Sequence, residues 1–202
     1  MEVLYEDNHI IVVNKASSEI VQGDKTGDQP LSEKVQAYLK EKYNKPGNVF
    51  IGVVHRLDRP VSGVVMFAKT SKALSRLNEM FREGKVDKKY WAIVKNRPQE
   101  PVGKLTLVRN EKQNKSYAYD KVKANGKKAE LEYRLIGQSD NYFLLEVNLL
   151  TGRHHQIRCQ LSKMGCAIKG DLKYGAPRSN PNGSISLHAR FLSFIHPVTK
   201  EL

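Results

Sequence analysis

Residues 52–63, GVVHRLDRPVSG, place a single carboxylate, Asp58, between Arg56 and Arg59 at a point where the chain has to turn. Ahead of the motif runs VFIGVV and behind it GVVMFAKT, both rich in β-branched residues, so the motif is expected on a loop joining two strands. A carboxylate flanked by guanidinium groups and held in a cleft stays ionised. Such a group serves as nucleophile or base. The same residues also suit an aspartate that stabilises its own turn before Pro60, and Arg56 and Arg59 suit phosphate ligands and solvated surface charge alike. The rest of the chain has to decide between these readings.

On the N-terminal side, VLYE and IIVVNK flank DNH and read as a hairpin. A polar loop over residues 21–30 precedes Leu31, Val35, Tyr38 and Leu39, which recur at helical spacing. On the C-terminal side, TSKALSRLNEMFREG predicts a helix with Ser71 as N-cap, Leu74, Leu77 and Phe81 on one face, and Gly84 as its stop. KKYWAIVKN reads as a strand and RPQEPVG as a loop, followed by the β-rich runs KLTLV, SYAYDKV, KAELEYRLIG and YFLLEVNLLT. QSDN between the last two marks a hairpin turn. RHHQIRCQLSKMG carries Ile157 and Leu161 at i, i+4 and reads as a helix. Many strands and few helices argue for an α+β fold around a largely antiparallel sheet. One domain is expected over residues 1–202, and the stop inside LHARFLSFIHPVTKEL, a strand and turn, suggests missing C-terminal residues.

Lys and Arg number 34 against 21 Asp and Glu, a formal charge of +13. Such an excess points to a polyanionic partner, because cationic surfaces gain affinity by releasing counterions from phosphates. A membrane is disfavoured, since no long apolar segment occurs and MEVLYEDNHI lacks a charged-then-apolar leader pattern; cytoplasmic residence is the default. Cys159 and Cys166 are too few for a disulfide framework and read as reduced core thiols. The six histidines form no HExxH pair, so no metal is expected. Nor is there a Walker loop, a G-x-G-x-x-G or a G-x-S-x-G, and no cofactor is expected.

A second polar cluster, residues 149–175, sets Arg153, His154, His155, Gln156 and Arg158 after a strand. It suits phosphates or a buried carboxylate, or simply a basic helix terminus. Tyr90, after Lys88 and Lys89, either stacks on a base or packs across strands. Trp91 points to the opposite face and is expected in the core.

HRLDRPVSG, KKYWAIV, LLTGRHHQIRCQL with IKGDLKYG, and LHARFLSFIHPVT, in that order, resemble the motifs of the pseudouridine synthase family of the large-subunit ribosomal RNA synthase A type. The resemblance runs from about Leu4 to the C-terminus. It implies the pseudouridine synthase fold, with flanking helices and a central RNA-binding catalytic cleft. It also implies that Asp58 is the essential carboxylate, that Tyr90 stacks on uracil, and that Arg158 pairs with Asp58. Arg56 resembles the residue that engages RNA and fills the space left by a flipped base. His55, Arg59 and Lys89 are the further RNA-contacting residues expected around these motifs. Arg153, His155 and Gln156 complete that set. Val61 stands where Thr is usual, as does His154, and neither replaces an implied catalytic group. Family members often carry an N-terminal S4 domain, and none is expected here, since the resemblance already begins at about Leu4.

The implied reaction breaks the N1–C1′ bond of uridine, rotates the detached uracil and rejoins it through C5, with the carboxylate either attacking C1′ or removing a 2′ proton. The implied partner is a structured stem-loop of ribosomal or transfer RNA, and a monomer is expected. Target choice is assigned to RNA shape and to the loops at 21–30 and 96–103. The rival from another class is a non-catalytic RNA-binding or ribosome-assembly factor of the same fold. A metal-dependent nuclease is disfavoured by the lack of a compact acidic cluster.

Overall fold

A computed structural model of the chain describes residues 1–99 and 105–202. It resolves into two compact units, residues 1–86 with 192–202, and residues 87–191.

In the first unit, β1 (Glu2–Glu6) and β2 (Ile10–Lys15) form the expected hairpin. Asp7 closes it by accepting from the backbone nitrogens of His9 and Ile10. Helix α1 (Leu31–Lys42) buries Leu31, Val35 and Leu39, the apolar positions read from the spacing. VFIGVV contributes only a two-residue strand, β3 (Gly52–Val53), set against Phe67 and Ala68 of β4 (Ser62–Ala68). The strand order is β1-β2-β4, with β3 also on β4. Helix α2 (Ser71–Arg82) begins one residue earlier than its sequence suggested. Thr70 is the N-cap, its hydroxyl accepting from Ala73 N at 3.1 Å, because Ser71 already has helical geometry. Its stop is as expected, at Gly84 with φ +72°. Ala73 and Leu77 of α2 close over Ile10, Val12, Met66 and Ala68, with Leu192 and Phe194 packed against the same cluster.

In the second unit, β5 (Asp87–Val94) pairs with β10 (Phe143–Leu149), which pairs with β9 (Leu131–Gln138), all antiparallel. β11 (Leu187–Ser193) lies beside β5. A separate antiparallel sheet, β7-β6-β8, is formed by β6 (Leu105–Asn110), β7 (Lys115–Tyr119) and β8 (Lys127–Ala129). The run KAELEYRLIG is therefore divided between two sheets. Glu130 makes the break: its backbone leaves both ladders, its N–H donating to Thr151 Oγ1 and its carbonyl accepting from Thr151 N. The QSDN turn forms, with Ser139 N donating to Tyr142 O. Of the loop RPQEPVG, residues 100–103 lie outside the described residues. Helix α3 (Gln156–Lys163) buries Ile157 and Leu161, and Cys159 packs with Leu107, Ala129 and Tyr174. Both cysteines are reduced and buried. The α+β class with largely antiparallel sheets holds.

Candidate active site

Asp58 sits on a half-buried turn closed by Val61 N donating to Asp58 O at 3.0 Å. The turn rests on Lys15, the last residue of β2, which has 0% exposure. Its ammonium donates to Val61 O at 2.6 Å, Ala16 O at 3.0 Å and Arg59 O at 3.2 Å. The bond to Val61 O is buried, so this ammonium satisfies a carbonyl that water does not reach, and its other two protons go to part-buried carbonyls. Burial brings its pKa down to about 8, while the carboxylates of Glu19 and Asp58 act in the opposite direction.

The residues flanking Asp58 are put to different uses. His55 Nε2 accepts from Met66 N at 3.1 Å, and the ring stacks on Phe81 at 5.0 Å. It extends the edge of β4 beyond the short β3. Arg59 donates to Thr26 Oγ1 at 2.8 Å and pairs with Asp28, tying the 21–30 loop to the Asp58 turn. Both were expected as RNA contacts; in the fold His55 also serves β4 and Arg59 also serves the 21–30 loop. Arg56 is exposed.

In the second unit, Tyr90 lies opposite Val147 on β10 and is half-buried. Strand alternation puts Lys88, not Lys89, on its face. The Lys88 ammonium lies 4.0 Å from where a Gly152 Cβ would stand, and burial lowers its pKa against the pull of Asp87. Lys89, expected to contact RNA, is on the other face, its ammonium 5.5 Å from the Phe191 ring. Trp91, expected in the core, is 37% exposed there, with the Arg190 guanidinium 5.1 Å from its ring.

The loop before α3 folds around Gln156. Its Oε1 accepts from Thr151 Oγ1 at 2.8 Å and Arg153 N at 3.0 Å, and its Nε2 donates to Glu130 O at 3.0 Å. Gln156 is 3% exposed, so it is an internal bolt and not the RNA ligand expected of it. His155 is likewise buried, in the left-handed region with φ +52°, its Nδ1 2.9 Å from Tyr174 Oη. Burial first, then the Arg158 charge, drives its pKa down to about 2, so it is neutral. His154 bridges to β7, with Nδ1 2.9 Å from Ser116 Oγ and Nε2 3.0 Å from Asn114 Oδ1. Arg153 is exposed, and its Nε donates to Lys128 O.

Arg158 is 5% exposed and held by Asp171, Nε to Oδ2 at 2.7 Å and Nη2 to Oδ1 at 2.9 Å. The ring of Tyr174 lies 5.1 Å from its guanidinium carbon. Three residues that matter here were passed over in the sequence: Lys15, Lys88 and Asp171. The alternation of β5 alone could have found Lys88. Among the described residues no group of three or more His, Cys, Asp or Glu could hold a metal ion, and no helix is long and apolar enough to cross a membrane.

Compared with known proteins, residues 9–163 match the family described as RNA pseudouridylate synthase. The chain is 34% identical to an uncharacterized RNA pseudouridine synthase of Synechocystis sp., covering 100% of this chain and 63% of that protein. It is 31% identical to the ribosomal large subunit pseudouridine synthase D of Zymomonas mobilis, covering 98% of this chain and 66% of that one. A similar match, 31% identical over 98% of this chain and 62% of the relative, is to the ribosomal large subunit pseudouridine synthase C of Vibrio cholerae. The chain thus spans less than two thirds of the length of these relatives. Among solved structures, human RNA pseudouridylate synthase domain containing 4 superposes with a TM-score of 0.80 at 25% identity, over 100% of this chain and 86% of that one.

Proposed function

The chain belongs to the RNA pseudouridylate synthase family, and from that premise we propose that it isomerises uridine to pseudouridine within structured RNA. The observation that carries the reading is Asp58. Its turn is fixed by a fully buried lysine, in a chain whose family match spans that turn and α3. Isomerisation exchanges the N1–C1′ bond for a C5–C1′ bond, with a proton lost from C5 and one gained at N1, so nothing is oxidised or reduced.

In this proposal Asp58 is the essential carboxylate, Arg158 keeps it anionic and oriented, and Tyr90 packs against the uracil. Arg56 and Arg153, both exposed, meet the RNA backbone, where the +13 charge favours docking. The target uridine is flipped out, as enzymes acting on bases require. Relatives named for the ribosomal large subunit support ribosomal RNA as the substrate; transfer RNA is the second candidate in this proposal, and one copy of the chain is its active species.

The test is to incubate the protein, without metal or cofactor, with unmodified ribosomal and transfer RNA transcripts. Pseudouridine is then mapped by carbodiimide adducts and primer extension. Stops that appear with the wild type and vanish with Asp58→Asn, while RNA is still bound, are expected. Tight binding with no stops on any RNA replaces the proposal by the non-catalytic RNA-binding reading. Retained turnover by a folded Asp58→Asn protein removes Asp58 from its role.

A further inference from the structure

Arg158 and Asp171 form a deeply buried ion pair, with side chains 6% and 1% exposed. Taking two charges out of water costs about as much as their attraction returns, and such pairs are often replaced by apolar residues without loss of stability. Stability is therefore a weak reason for this pair. Orientation is a stronger one, because the contacts from Asp171 and Tyr174 fix the plane of the guanidinium. Asp171 grips one edge through Nε and Nη2, and the Tyr174 ring lies over its face. Tyr174 is itself fixed, its hydroxyl accepting from Ser116 N at 2.8 Å and lying 2.9 Å from His155 Nδ1.

The backbone that carries the Asp171 carboxylate is fixed as well. Asp171 O accepts from Tyr174 N and Ala176 N, which closes the turn 171–176 around it. Gly170 before it has φ +88°, and a Cβ there would stand 2.8 Å from Ser184 O, so the chain has one way to enter this turn. Asp171 uses the Nε and Nη2 side of the fork, and so it sets the direction in which the Nη1 side is presented.

We propose that Asp171 is a positioning residue for the isomerisation: it touches no substrate, and acts by fixing the plane and direction of the Arg158 guanidinium. This rests on the role given to Arg158 above. The distinction from a merely structural pair is chemical. A guanidinium has a plane to orient, whereas an ammonium is a point charge with none.

The experiment measures single-turnover conversion at saturating RNA, on the transcript that the wild type modifies. Asp171→Asn and Asp171→Glu are compared in the wild-type and Arg158→Lys backgrounds, with RNA binding and melting temperature recorded for each. Leu131→Ala, a core change on β9, serves as a control for lost stability. Asp171→Asn turns one of the two pairings into donor against donor, and a misplacement of about 1 Å lowers turnover by about 100-fold. RNA affinity is expected to be unchanged, Asp171→Glu to show an intermediate rate, and the loss to disappear in the Arg158→Lys background.

If Asp171→Asn does not fold, the same comparison is made with Asp171→Glu, whose loss must likewise vanish in the Arg158→Lys background. The proposal is overturned by wild-type turnover in a folded Asp171→Asn protein. It is also overturned by losses that multiply in the two backgrounds, or by an equal loss in Leu131→Ala at matched melting temperature. Absence of any conversion by the wild type overturns the functional reading and this inference with it. Conversion that Asp58→Asn abolishes and Asp171→Asn spares overturns this inference alone.

Discussion

Replacing Lys15 by Met keeps the length and apolar stem of the side chain and removes its three donors. The bond to Val61 O is buried, and leaving such a carbonyl without its donor costs about 1–3 kcal/mol. Those to Ala16 O and Arg59 O are only part-buried, so water substitutes and each adds about 0.5 kcal/mol. Against this, Met relieves the burial of a charge. A net loss of about 2 kcal/mol at neutral pH lowers the melting temperature of a chain this size by about 6 °C. The pH dependence has a definite sign. Lys15 titrates at about 8 in the folded protein and at 10.5 when unperturbed. Between those values the unfolded chain holds the extra proton, so wild-type stability rises with pH. Met has no such contribution, and the gap between the two proteins widens through that window. Because two of the carbonyls released, Arg59 O and Val61 O, belong to the Asp58 turn, single-turnover conversion falls too, by about 100-fold if the carboxylate moves by about 1 Å. Thermal melts at several pH values and single-turnover assays check both parts. Wild-type melting and turnover in Lys15→Met, or a gap that narrows with rising pH, refutes the reasoning.

Burial pushes the Glu6 carboxyl up, but hydrogen bonds from Lys42, Lys69 and Tyr43 outweigh it and bring its pKa down to about 2. Its stabilisation is present above 4.5 and lost as pH falls toward 2, so Glu6→Gln melts lower at neutral pH and converges with the wild type in acid. His155 titrates at about 2 in the folded protein against 6.5 unperturbed, so stability drops as pH falls below 6.5 and the unfolded chain takes up the proton. His155→Asn, which tolerates the left-handed backbone, flattens that acid limb in melts over the same range. Arg153→Ala weakens RNA binding and reduces the slope of log affinity against log salt by about 1, read from titrations at several salt concentrations.

The sequence by itself determined the local pieces. Strand, turn and strand around Asp58, the apolar face of α1, the stop of α2 at Gly84 and the Ile157–Leu161 face of α3 all follow from short-range periodicity and turn chemistry. It also supplied the ordered motifs that marked Asp58, Tyr90 and Arg158. Tertiary structure decided what those pieces are used for. Lys15 lies 46 residues from the Val61 carbonyl it satisfies, and Asp171 lies 13 residues beyond the Arg158 it grips. The run KAELEYRLIG, residues 128–137, reads as one strand, yet Glu130 turns out of it to hold Thr151, 21 residues away. Gln156 carries the polarity of an RNA ligand and is spent on the loop, while His55 and Arg59 also bond backbone and loop groups elsewhere along the chain. Residue type and spacing report which hydrogen bonds a side chain is able to make. Which partner it makes them with depends on where distant backbone groups are buried, and only the folded chain brings those together.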